Sequence, residues 1–225
     1  MTLSSRHPSR LLPAALVMVS CAPNTRFVTT PVPDLVNRPI TQITVVGVVG
    51  FRGLPIGAGT EAECALLLAE FLRTRNAVLT VPHPADDRAL LEQAGLGFAW
   101  ATLADTWLET GIADAVLLRD MADAVGAEAL LGGVVVGVEE TAIVSYSPVT
   151  DEETGERLTE ASWRVVRVVA VRLWLFDTRD GALLWEAAAA STTFGPAPVP
   201  LADAVARAIR DVATRLPRLA PQPVQ

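Results

Sequence analysis

Val169-Ala170-Val171-Arg172-Leu173-Trp174-Leu175-Phe176-Asp177 leads into Thr178-Arg179-Asp180-Gly181 and out through Ala182-Leu183-Leu184-Trp185. Both halves are rich in β-branched, leucine and aromatic residues. The four residues between them place glycine where a tight turn needs positive φ. The stretch therefore reads as a β-hairpin, with strands over Trp163–Asp177 and Ala182–Ala190. Trp174 and Trp185 flank the turn and are expected to form a cross-strand or core pair.

Working outward, Ala129–Val138 is another β-rich run. It is preceded by a helical pattern over Ala113–Val125, with Leu117, Leu118, Met121 and Val125 facing inward and Gly126 as the stop. Thr41–Phe51 predicts a buried strand, and Gly53–Gly59 a loop. A helix is expected from Thr60, with Glu63 at capping-box spacing and Cys64, Leu67, Leu68, Phe71 and Leu72 on one apolar stripe. Asn76–Val81 predicts a short strand closed by Pro82 and Pro84. Ala85–Ala94 predicts a helix stopped by Gly95, and Phe98–Leu108 reads as helical. Leu201–Leu216 closes the chain with Leu201, Val205, Ala208, Ile209 and Val212 on one face. The order β-α-β-α-α-β-β-β-α predicts an α/β domain over residues 40–216, a single mixed β-sheet packed with helices. The proline-rich residues 217–225 read as a disordered tail.

The N-terminal residues read as an address rather than as structure. Arg6 and Arg10 precede the short apolar run Leu11–Val19, which is broken only by Pro13 and is too short for a membrane span of ~20 residues. Residues 1–20 are expected to be an export signal. Met18-Val19-Ser20-Cys21 resembles the lipobox of bacterial lipoproteins, with Met where Leu is usual. The resemblance implies cleavage before Cys21, acylation of that residue (palmitate or a similar chain), and membrane attachment through the lipid. Residues 21–39 would then be the lipidated Cys and a tether. Ala22 follows the Cys where Asp would act as a retention signal in enteric bacteria, so the expected residence is the outer membrane, facing the periplasm. Ala22–Arg38 reaches at most ~55 Å when extended at ~3.3 Å per residue.

Composition narrows the chemistry. Hydrophobic residues are 51% and charged residues 19% of 225, and the formal net charge is −7. That is ample core for one domain, and an acidic chain without basic clusters argues against nucleic-acid binding. The chain has no lysine, and its two histidines are His7 and His83. Gly47, Gly50, Gly53, Gly57 and Gly59 lie between strand and helix, but they miss the dinucleotide-binding spacing, and no Gly-Lys-Ser/Thr follows. His83 sits in Pro82-His83-Pro84 without partner ligands, so it reads as a loop residue before a helix start rather than a metal site. Cys64 reads as a buried small hydrophobe. No cofactor, metal or catalytic residue is expected. Thr141–Trp163, between two strands, exceeds an ordinary hairpin loop. Within it Asp151, Glu152, Glu153 and Glu156 form an acidic cluster and a candidate partner loop.

Two stretches carry a family resemblance. Val125-Gly126-Ala127-Glu128-Ala129-Leu130-Leu131-Gly132-Gly133-Val134 and the hairpin Val169–Trp185 resemble the corresponding steps of small envelope lipoproteins. That group includes the lipoprotein activators of penicillin-binding proteins, the periplasmic part of the curli secretion lipoprotein and the N-terminal domain of TolB. The resemblance implies a TolB N-terminal-like, anticodon-binding-like sandwich and a non-enzymatic role, docking on another envelope protein. The short tether argues against reaching an inner-membrane synthase. A channel role would require Thr141–Trp163 to form a membrane hairpin with Thr150–Gly155 at its tip. A hydrolase would require a deep pocket with two facing carboxylates. Metabolic labelling with a fatty-acid analogue is expected to mark the wild type and not Cys21→Ser; equal labelling of both would exclude lipidation at this residue.

Overall fold

The computed structural model describes residues 26–31, 40–150 and 154–217. Strand β1 (Arg26–Pro31) precedes β2 (Ile43–Gly50), and a short 3-10 turn over Phe51–Gly53 leads to helix α1 (Ala58–Arg75). Three further helices follow: α2 (Pro84–Gln93), α3 (Ala99–Thr110) and α4 (Ala115–Val125). The chain then builds β3 (Ala129–Thr150), β4 (Arg157–Asp177) and β5 (Leu183–Gly195), and closes with α5 (Leu201–Ala213).

The five strands form one sheet in the order β1-β5-β4-β3-β2. β2 and β3 run parallel, joined by the helical crossover, and every other pair is antiparallel. This is the single mixed sheet with helices that the element order predicts. Helices cover both faces. On one face Leu68 and Leu72 of α1 and Ile209 of α5 pack with Val45, Leu131, Val171 and Leu173 of the sheet, all buried. Under α3 and α4 lie Leu103, Met121, Leu130, Val134, Trp174 and Phe176. Each such side chain contributes on the order of 1.5–3 kcal/mol when fully buried.

Local chemistry sets the joints. Asp114 caps α4, its Oδ1 accepting from the Val116 and Leu117 N–H groups at 3.0 Å each, which satisfies two otherwise orphaned donors. Gly126 ends the same helix in the left-handed region at φ 70°. The β4–β5 turn has Gly181 at φ 72°, and buried Asp177 accepts the Arg179 N–H at 2.9 Å.

Five expectations are corrected. Residues 76–81 do not form a strand; only an isolated bridge joins Gln42 to Thr80, because the following prolines leave no ladder to extend. α1 starts at Ala58 with Gly57 as its cap, and no capping box forms, since Thr60 is buried inside the first turn. Trp174 and Trp185 do not pair: Trp174 stands opposite Glu186 and Trp185 opposite Leu175, so the two indoles fall on opposite faces of the sheet. The stretch read as a loop, Thr141–Trp163, is the outer half of a continuous β3–β4 hairpin. Within the stretch read as a tether, Arg26–Pro31 adds to β5 as an edge strand; the rest of that stretch, and the tail from 218, lie outside the described residues.

Gly132 is where a helix side chain packs directly on the sheet backbone. A Cβ built there would come within 2.4 Å of the Trp100 ring and 2.7 Å of Val46. Gly132→Ala is expected to cost about 1–3 kcal/mol of stability by overpacking, measured by chemical denaturation. Gly137→Ala, where nothing lies within 4 Å, is the control; an equal loss at both positions would refute the packing argument.

Candidate functional site

Among the described residues, the hairpin's outer half has no third strand. β5 leaves β4 at the Val165–Gly195 pair, so Ile143–Thr150 and Arg157–Arg164 pair only with each other. A β-ladder puts directly opposed residues on the same side. One side therefore carries Val144 opposite Trp163, Tyr146 opposite Ala161, and Pro148 opposite Thr159. The other carries Ser145 opposite Ser162, Ser147 opposite Glu160, and Ile143 opposite Arg164. Tyr146 is 70% exposed and Trp163 64% exposed, which is unusual for large aromatic side chains without a partner.

The hairpin is braced at its base. Arg167 donates to Glu140 Oε2 at 2.6 Å and also to the Val199 carbonyl. That holds the segment before α5 against the point where the free ladder begins. Of the predicted acidic cluster, Asp151, Glu152 and Glu153 lie outside the described residues. Glu156 is exposed at the tip, its N–H donating to Thr154 Oγ1 at 3.4 Å. Cys21 also lies outside the described residues.

A second feature escaped sequence reasoning. A cavity of about 460 Å³ opens beside β2, between α1 on one side and α2 and α3 on the other. Its wall is mostly apolar, and Glu61, His83, Arg88 and Asp105 reach it. Asp105 Oδ1 accepts the Arg52 N–H at 3.1 Å, so one of its oxygens is committed to holding the 3-10 turn. Arg88 pairs with Glu92 at 2.9 Å on the surface. The glycine-rich stretch read as a strand–helix loop forms one rim of this cavity. Its only sequence signal was the run of glycines that ends β2, with Gly53 and Gly57 at φ 75° and 85°.

The other singled-out residues have structural roles. His83 caps α2, its Nδ1 accepting from the Ala85 N–H at 3.3 Å. Cys64 is buried, and desolvation pushes its thiol up to about 12, so it is not a thiolate at neutral pH. Asp87 on α2 is also buried. Burial pushes its carboxyl above the ordinary range and Asp86 adds to this, while Thr44 and His83 oppose it. Neither Asp87 Oδ2 nor Thr44 Oγ1 has a well-formed hydrogen bond among the described residues.

The chain matches no protein family model, and no curated protein matches it. Among solved structures it is similar to the PelC dodecamer from Paraburkholderia phytofirmans, at 19% identity and a TM-score of 0.44, over 88% of this chain and 99% of that one. It is also similar to the LpoB C-terminal domain from Salmonella enterica, at 14% identity and a TM-score of 0.37, over 67% of this chain and 81% of that one. Lipoprotein GNA1162 from Neisseria meningitidis gives 15% identity and a TM-score of 0.37, over 77% and 99% of the two chains.

Asp87 supplies a pH test. A carboxyl whose folded-state pKa is raised above its unfolded value of ~3.9 loses stability as pH rises through the folded value. Asp87→Asn removes that penalty. The variant's melting temperature relative to wild type is expected to become more positive between pH 4 and pH 7 in thermal scans; a difference that stays flat or falls would contradict the assignment.

Proposed function

We propose that this chain is a lipid-anchored, periplasm-facing accessory or assembly factor of the outer membrane that acts by binding another envelope protein rather than by turnover. The observation that supports it best is the free β3–β4 ladder. Its outer half buries no core, yet it carries exposed Tyr146 and Trp163 on one face, with Val144 and Ala161 opposite them. An isolated two-stranded hairpin is marginal in water. A partner that covers this face would remove that cost and bury aromatic area of the kind that dominates interface energetics. In this reading the partner covers the face that carries Tyr146 and Trp163, with exposed Glu156 beside it. The non-enzymatic reading is supported by chemistry: the thiol of Cys64 is buried, and His83 and Asp105 each have a structural bond to keep.

A second reading is favoured by the ladder's dimensions. Its free length, from Ile143 to Thr150, is about 26 Å at ~3.3 Å per residue, close to the ~25 Å apolar band of outer-membrane barrels. One face groups Val144, Tyr146, Ala161 and Trp163, and the other mixes serines and charges with Ile143, Val149 and Leu158. Several copies, each contributing one hairpin, would then line a channel of an export assembly.

The test is the double variant Tyr146→Ser/Trp163→Ser in the full chain, crosslinked in the native envelope. The accessory reading expects an unchanged melting temperature and at least a tenfold loss of crosslinking to one specific partner protein. Unchanged crosslinking would place the interface elsewhere. A detergent-solubilised ring of identical copies that the double variant dissolves would select the channel reading instead.

A further inference from the structure

β2 lies at one edge of the sheet. Edge strands carry unpaired N–H and C=O groups that can template another strand, and proteins normally blunt or cover them. Here only the beginning is covered: Ile43 donates to the Thr80 carbonyl at 3.0 Å, and Thr80 to the Thr41 carbonyl at 2.8 Å. From Val45 to Gly50 the free side makes no backbone hydrogen bond among the described residues.

The cavity follows this uncovered length. It touches every residue from Val45 to Gly50. Side chains on a strand alternate between faces, so a space that meets six consecutive residues lies against the strand's edge, not over one face. The space is also charged at both ends. Glu61 stands in the first turn of α1, just after the segment that leaves Gly50. Asp105 holds Arg52 in that same segment. At the other end His83 and Arg88 stand at the start of α2, beside the Thr80 bridge. The Arg88–Glu92 pair is more than half exposed on both side chains, so re-pairing it costs little. Phe98, 86% exposed, sits at the rim.

We propose that this edge is a peptide-binding slot. An extended segment of a partner protein adds to β2 as a further strand, using the free backbone groups of Val45–Gly50. Its apolar side chains enter the cavity. A basic residue lies by Glu61 and Asp105, and an acidic one by His83 and Arg88. Strand addition suits such a site because the main chain supplies affinity while the flanking pockets and charges supply selectivity. The slot is separate from the hairpin surface and does not depend on how that surface is used.

The test uses synthetic nine-residue peptides that alternate Val, Leu or Phe with Ser or Thr, carrying Arg at one end and Asp at the other, in both orders. They are titrated into the full chain and followed by fluorescence anisotropy. At least one is expected to bind with Kd below about 0.1 mM, and methylating its alternate backbone nitrogens should weaken it tenfold or more. Ala62→Trp, an exposed α1 position on the cavity wall, should abolish binding without changing the melting temperature. The amides of Val45–Gly50 should gain protection from hydrogen exchange when the peptide is bound. The proposal fails if no peptide binds in either order, if the methylated peptide binds equally well, or if Ala62→Trp binds as wild type does. It also fails if deleting residues 218–225 creates binding that the full chain lacks, which would assign the slot to the chain's own end. Self-association that competes with the peptide would assign it to a second copy and overturn it likewise.

Discussion

The missing side chain at Gly132 is the constraint on which the helical layer over the β2–β3–β4 face depends. Trp100 lies against that backbone, and its indole N–H donates to the Gly133 carbonyl at 3.2 Å. A buried indole needs such a partner, and the bond fixes the start of α3 on the sheet. Trp174 and Phe176 then gather round Trp100 at 6.4 Å each, and Trp107 meets Phe176 edge-on at 5.1 Å. The neighbouring glycine is crowded within the sheet itself: a Cβ at Gly133 would strike Leu173, its partner on β4, at 2.3 Å. Gly132 thus lets α3 approach β3 closely, and Gly133 lets β4 and β2 close in beside it. The position of α3 that follows sets one wall of the cavity beside β2.

A second clasp joins the starts of the central strands. Glu128, just before β3, accepts the Thr41 N–H at 2.6 Å and the Thr41 hydroxyl at 3.1 Å. These bonds, led by the Thr41 N–H, hold its carboxyl below the usual range. Thr178 in the β4–β5 turn closes the other side, its hydroxyl donating to the Glu128 carbonyl at 2.8 Å. One residue therefore aligns the entry of β2, the entry of β3 and the exit of β4. This gives a physical meaning to the two stretches that stand out in the sequence: they are where three strands are held in register.

Away from this end the molecule loosens in an ordered way. The sheet has five strands near the helices and only two beyond Val165. Arg167 marks the boundary, tied to Glu140 and to the segment before α5. A hairpin that leaves the core while keeping its ladder exposes both faces. Its stability then depends on its own cross-strand pairs and on whatever covers Tyr146 and Trp163. The open edge of β2 offers a different kind of surface, in which backbone groups rather than side chains are left without partners among the described residues.

Much of the fold was legible in the sequence. The β4–β5 turn, the apolar stripes of α4 and α5 and the burial of Cys64 all follow from local pattern, because turn chemistry and helical period are properties of neighbouring residues. The outer hairpin was not legible. Both its faces meet water, so Ser145, Ser147, Glu160 and Ser162 break the apolar signal that marks a half-buried strand. Trp174 and Trp185 were expected together, but a one-residue offset in register sends them to opposite faces. The cavity was invisible for a deeper reason. It is made by the free edge of β2, by α1 on one face and by α2 and α3 on the other, α3 seated through Trp100 on Gly132, and no local pattern records which edge of a strand stays unpaired. The sequence by itself determined the elements and their buried faces, through propensity and periodicity. Only the tertiary structure decided which strand edge stayed open and which aromatic side chains met solvent, because both depend on contacts between residues far apart in the chain.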